Sequence, residues 1–202
     1  MGFFQNLFGS GYKPKNELDN LLKALESVTT QVDFIETNER AGANNRVASL
    51  MAEILATTSQ LLPFREQVEP EKFNAYAMEV LLFSFYSCVN HLASKEHSSS
   101  DEEDLAEALF RLFSVLSLAT GYSVENMRSR LDTYIDAAEN KKETEVAASC
   151  YILPAFFTGR EIPSQGAFGP EVKASEKTIK NMTEKLHLIN SMEKSVIEAE
   201  FK

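Results

Sequence analysis

The stretch that most constrains this chain spans residues 73–119, where two consecutive segments are too apolar to lie on a surface. The first, at 70–93, contains YAMEVLLFSFYSCVNHLA. At 100° per residue, Leu81, Leu82, Phe85, Tyr86, Cys88, Val89, Leu92 and Ala93 form one wide apolar arc. Glu79, Ser84, Ser87, Asn90, His91 and Ser94 fall mostly on the opposite side. The second segment, at 101–120, contains LAEALFRLFSVLSLA, and its polar positions narrow to Glu107, Arg111, Ser114 and Ser117. A helix apolar over more than half its circumference must be covered on several sides. These two segments are therefore expected at the centre of a helical bundle.

The flanking sequence supplies the covering helices. Leu18, Leu21, Leu25, Val28, Val32 and Ile35 step by three and four, which predicts a helix over 17–37 with a heptad seam, capped by Asn16. Such a seam is expected to pack within the bundle, with a dimeric coiled coil as the alternative. Val47, Leu50, Met51, Ile54, Leu55, Leu61 and Leu62 give a helix over 44–62 that Pro63 stops. Pro70 suits the first position of the helix at 70–93, and Ser100 with Glu103 matches a capping box before the one at 101–120. Ser123 is expected to cap a helix carrying Val124, Met127, Leu131, Tyr134 and Ala138 on one face. A helix over 143–157 contains Pro154, which predicts a break or kink near Leu153. The last helix, 175–201, keeps a seam of Ile179, Met182, Leu186 and Ile189. There the pattern is expected to shift, leaving Glu193 polar while Met192 and Val196 carry the apolar side. The sequence thus predicts an all-α, single-domain bundle of six or seven helices, with the third and fourth central. It fills 16–202 and follows a short amphipathic segment at 1–15.

Composition narrows the function. The 202 residues carry a formal net charge of -10, concentrated between Glu17 and Arg160, so affinity for nucleic acid or anionic lipid is not expected. Two cysteines without close spacing, Cys88 and Cys150, read as buried thiols and favour a reducing compartment. No apolar run is long enough for a transmembrane helix, and the N-terminus lacks the charge and apolar core of a secretory signal. Asn6 stands where a myristoylation signal wants Ser or Thr. These features give a cytoplasmic expectation, with peripheral membrane attachment as the variant.

The candidate sites are few. Glu184 and His187 are spaced i, i+3, as in helical di-iron sites, yet the second Glu-x-x-His that chemistry needs is missing. Cys88 and His91 share one helix and would need Cys150 and Glu79 to complete a metal site. Glu79 is expected to face solvent or an arginine such as Arg111. No serine-hydrolase elbow, phosphate loop or zinc-protease motif occurs, and no cofactor is expected. Phe3, Phe4, Leu7 and Phe8 share one side of two helical turns before Gly9, Ser10 and Gly11. They are candidates for contact with a partner or a membrane surface, with Lys13 and Lys15 following. The segment 158–171, with Ile162 and Phe168 among glycines and prolines, is a candidate ligand loop. The leading expectation is a non-catalytic protein-interaction or regulatory module, a monomer or homodimer, with an unnamed protein partner. The alternatives are a metal-binding or enzymatic bundle, and a peripheral membrane protein anchored by its N-terminus.

Overall fold

The computed structural model describes residues 54, 55, 57, 58, 61–93, 123–160 and 174–200. All regular structure among them is helical. Besides the helical residues 54, 55, 57 and 58, four helices stand there, against the six or seven expected for the whole chain: α1 (Phe73–Ala93), α2 (Val124–Glu139), a third in two parts over 143–158, and a last over 176–200. We number the two parts of the third separately. Glu143–Val146 is α3, a π-helical stretch follows at Ala147–Ile152, and Leu153–Thr158 is α4. The last helix, α5, is Glu176–Glu200. The helices expected over 17–37 and 101–120 lie outside the described residues, as does the amphipathic segment at 1–15.

Local sequence explains the starts and stops. Ile54, Leu55, Thr57 and Thr58 are helical, and the chain turns before Pro63. Leu61, expected on the apolar face, lies beyond the helix and is 57% exposed, while Leu62 is buried. Pro70 opens a 3-10 turn, Pro70–Lys72, that feeds directly into α1. Ser123 caps α2 as expected, its hydroxyl accepting the Asn126 N–H at 3.1 Å. The far end of α2 closes with Lys141 in the left-handed region (φ 54°) and the Lys142 N–H returning 3.1 Å to the Ala137 carbonyl. Ser175 caps α5 through the Thr178 N–H at 3.2 Å.

The expected interruption at Pro154 takes the form of a widened turn rather than a chain break. Pro154 has no N–H to return to the preceding turn. The helix widens immediately before it, the Leu153 N–H bonding to the Ala148 carbonyl five residues back, and helical geometry then continues to Thr158. Gly159 ends it with φ 66°. A Cβ there would meet the Lys72 Cγ at 2.7 Å and the Lys72 Cα at 3.0 Å, so the end of α4 sits directly on the turn before α1. Gly159→Ala is expected to lower stability by about 1–3 kcal/mol, from the left-handed backbone and the clash together. Urea unfolding checks this, and an unchanged midpoint would mean that the α4 end is not held against Lys72.

Helix α1 is the centre of the described structure. It packs against α2, the π stretch, α4 and α5. Every residue from Ala75 to Cys88 is buried. This corrects the sequence reading, in which Glu79, Ser84 and Ser87 marked an outward face; all three are fully buried. Around α1 the core gathers Ile54, Leu55 and Leu62, Met127 and Tyr134 of α2, Ile152 and Leu153, and Met182, Leu186, Ile189 and Ile197 of α5. Full burial of a large apolar side chain stabilises by about 1.5–3 kcal/mol, so this core accounts for most of what holds the helices together.

Candidate functional site

Polar side chains inside an apolar core are the places where chemistry or specificity resides, because each must be compensated. The described residues hold two such groups, on two faces of α1.

The first joins α1 to α2. Of the two expectations for Glu79 the arginine holds and solvent does not: Glu79 is fully buried and takes a bidentate pair of hydrogen bonds from Arg130, Nε to Oε2 at 3.0 Å and Nη2 to Oε1 at 3.0 Å. Arg111 lies outside the described residues. The α2 face expected through Val124, Met127, Leu131, Tyr134 and Ala138 does pack on the core, and it widens to take in Arg130 and Ala137, which are buried beside Met127 and Tyr134. The Arg130 guanidinium lies 3.7 Å from the centre of the Tyr151 ring, in the π stretch. Burial pushes the guanidinium down, but the hydrogen bonds and charge of Glu79 outweigh it and hold Arg130 above its ordinary value. Tyr134 sits within the same set, edge-on to Phe83 at 5.7 Å and to Tyr151 at 5.9 Å. Its hydroxyl has no hydrogen-bond partner, and burial first, then the charge of Glu79, raises its pKa. This group has the chemistry of an internal clamp.

The second joins α1 to α5 and to Thr58. Ser84, Ser87, Cys88 and His91 fall at i, i+3, i+4 and i+7, one stripe of α1. Opposite them on α5 stand Asn190 and Glu193. Glu193 is fully buried, which overturns the expected shift of the α5 seam. The steps of three and four run on through Met182, Leu186, Ile189, Glu193 and Ile197, all buried, while Val196 is exposed. The Glu193 Oε1 accepts hydrogen bonds from Thr58 Oγ1 at 3.2 Å and from the Ser84 hydroxyl. The Thr58 and Ser84 hydroxyl oxygens are themselves 3.2 Å apart. Burial raises the Glu193 carboxyl to about 7, with the hydroxyls of Ser84, Ser87 and Thr58 pulling it part of the way back. Burial, and secondarily the charge of Glu193, raises the Cys88 thiol well above its usual range. That makes Cys88 an inert buried thiol and not a nucleophile. At the edge of this stripe, His91 Nε2 lies 2.8 Å from Asn190 Oδ1.

The metal candidates do not converge. Glu184 and His187 are exposed on α5, and His187 Nε2 lies 3.1 Å from Thr144 Oγ1 of α3. Cys88 and His91 share a face of α1, but Glu79 is engaged with Arg130 and Cys150 stands on the π stretch beside Ser149. Among the described residues no three His, Cys, Asp or Glu side chains gather to hold a metal ion. No described helix is long and apolar enough to cross a membrane. Phe3, Phe4, Leu7 and Phe8, and the greater part of the 158–171 segment, lie outside the described residues. Sequence reasoning missed Arg130 entirely and read Glu193 as outward-facing. The signal for Glu193 was present, because the seam stays unbroken if a carboxylate is allowed to occupy it.

Compared with known proteins, the chain matches no protein family, no curated relative and no solved structure.

Proposed function

We propose that the protein is a non-catalytic, helical protein-interaction or regulatory module. The observation that supports this is the outer face of α5. Its inner seam is filled by Met182, Leu186, Ile189, Glu193 and Ile197. A second apolar row, Leu188, Met192 and Val196 at i, i+4 and i+8, runs along a different side of the same helix. Leu188 is 63% exposed and Val196 36%. An apolar row on an exposed helix face is the kind of surface a partner covers. The polar side chains of the core are meanwhile engaged across helices, Glu79 with Arg130, Glu193 with Ser84 and Thr58, and His91 with Asn190.

The reading is tested with the double variant Leu188→Glu, Val196→Glu. Its thermal midpoint is expected to stay within about 3 °C of the parent, because neither side chain is in the core. A protein captured stoichiometrically by the parent chain is expected to be lost by the variant. Equal capture by both moves the interface elsewhere. Stoichiometric iron, manganese or zinc in the purified parent would replace this reading with the metal-binding one.

A further inference from the structure

Glu193 occupies a position in the α5 seam that every neighbour fills with an apolar side chain, Ile189 one turn before and Ile197 one turn after. Two hydroxyls from two other segments, Thr58 and Ser84 of α1, converge on its Oε1. Its Oε2 has no hydrogen-bond partner, and neither has the buried Ser87 Oγ on the same side of α1. Among the described residues no basic group faces this carboxyl. Cys88 of α1 is the titratable group beside it. His91 lies further along α1, bonded to Asn190. The described residues of the segment bearing Thr58 carry no charge. α3 meets α5 at Thr144 and His187, with Glu143 and Glu145 in that turn, about 9 Å along the α5 axis from Glu193. Arg130 and Glu79 are engaged with each other. On α5 itself, Lys194 and Glu198 are exposed and 3.9 Å apart.

A carboxylate that meets only the hydroxyls of Thr58, Ser84 and Ser87 among the described residues carries a charge there without a counter-charge in an apolar seam. A carboxylic acid in the same place is neutral. It still accepts from Thr58 and Ser84 on Oε1, and its Oε2–H supplies a donor for the bare Ser87 Oγ. We propose that Glu193 is a proton-operated latch between α5 and α1. Protonated, it completes the hydrogen-bond set with Thr58, Ser84 and Ser87. When the proton leaves to water, the charge stranded in the seam loosens α5 from α1. The carboxyl, lifted to about 7 by burial, would change state within the range of cellular pH. The latch is independent of what the outer row of α5 binds.

The test uses the full chain labelled with 13C in the glutamate carboxyl carbons, with the Glu193 resonance assigned by its loss in Glu193→Gln. Glutamine keeps the shape and is neutral at every pH. The Glu193 resonance is expected to titrate more than one pH unit above the ordinary carboxyl value of about 4.3. Amide exchange across α5, corrected for intrinsic rate, is expected to quicken between pH 6 and pH 8 about tenfold more in the parent than in Glu193→Gln. A Glu193 midpoint below about 5, or equal quickening in both proteins, overturns the proposal. If the glutamine variant does not fold, Glu193→Asp assigns the resonance by its removal and the parent titration decides alone.

Discussion

Replacing Arg130 with methionine is expected to destabilise the protein by about 3–5 kcal/mol, because it removes the bidentate cationic partner of a carboxylate that is fully buried. Glu79 and Arg130 are 0% and 1% exposed, and the pair is bidentate, with both bonds at 3.0 Å. Taking both charges out of water is expensive, and their mutual geometry is what offsets it. The pair is thus worth far less than the loss on breaking it suggests. The double variant Glu79→Met, Arg130→Met is accordingly expected to recover most of what Arg130→Met loses. Some loss should persist, since the Arg130 guanidinium also lies over the Tyr151 ring. Urea unfolding of the parent, both single variants and the double variant closes the cycle. A single-variant loss below about 1 kcal/mol would mean that Glu79 reaches water or a second cation.

The second large effect concerns pH. The Glu193 carboxyl is about 7 in the folded chain and near 4.5 when unfolded. Between those values the folded state holds the extra proton. Stability contributed by this group therefore falls as pH rises from about 4.5 to about 7, and is level on either side. The total is on the order of 3 kcal/mol, from 1.36 kcal/mol per pKa unit. This runs opposite to the usual acid-unfolding trend of ion-paired carboxylates, so it is best seen in a difference. Subtracting the unfolding free energy of Glu193→Gln from that of the parent, at each pH from 5 to 8, cancels the other carboxylates. The difference is expected to move against the parent from pH 5 to about 7 and to level off above that. A difference that stays flat across that range would show that the Glu193 carboxyl is compensated in the folded chain.

What the sequence made legible follows the range of the interaction. Ser123 as a cap, Pro70 as a helix start and Pro154 as an interruption are decided by residues within a turn, and each stands where expected. The centrality of α1 was legible too, since a run such as VLLFSFY admits no solvent face. What failed was the assignment of its polar residues. A helical wheel treats Glu79, Ser84 and Ser87 as outward because polar groups prefer water, yet each has its neighbours on a distant segment: Arg130, Thr58 and Glu193. Those partners lie 26 to 109 residues away in the chain, and no local periodicity reports them.

The unbroken burial of α1 from Ala75 to Cys88 also bears on time. A helix with one wet side can let single turns fray and reclose while its neighbours stay put. Here no turn in that stretch touches water, and the segments over it are not removed by any motion of α1 itself. Its amides can meet solvent only when the covering helices part, so their rate of hydrogen exchange follows the opening of the whole assembly rather than of the helix. The middle of α1 thus records how often the molecule as a whole comes apart, and its ends record how often it merely breathes.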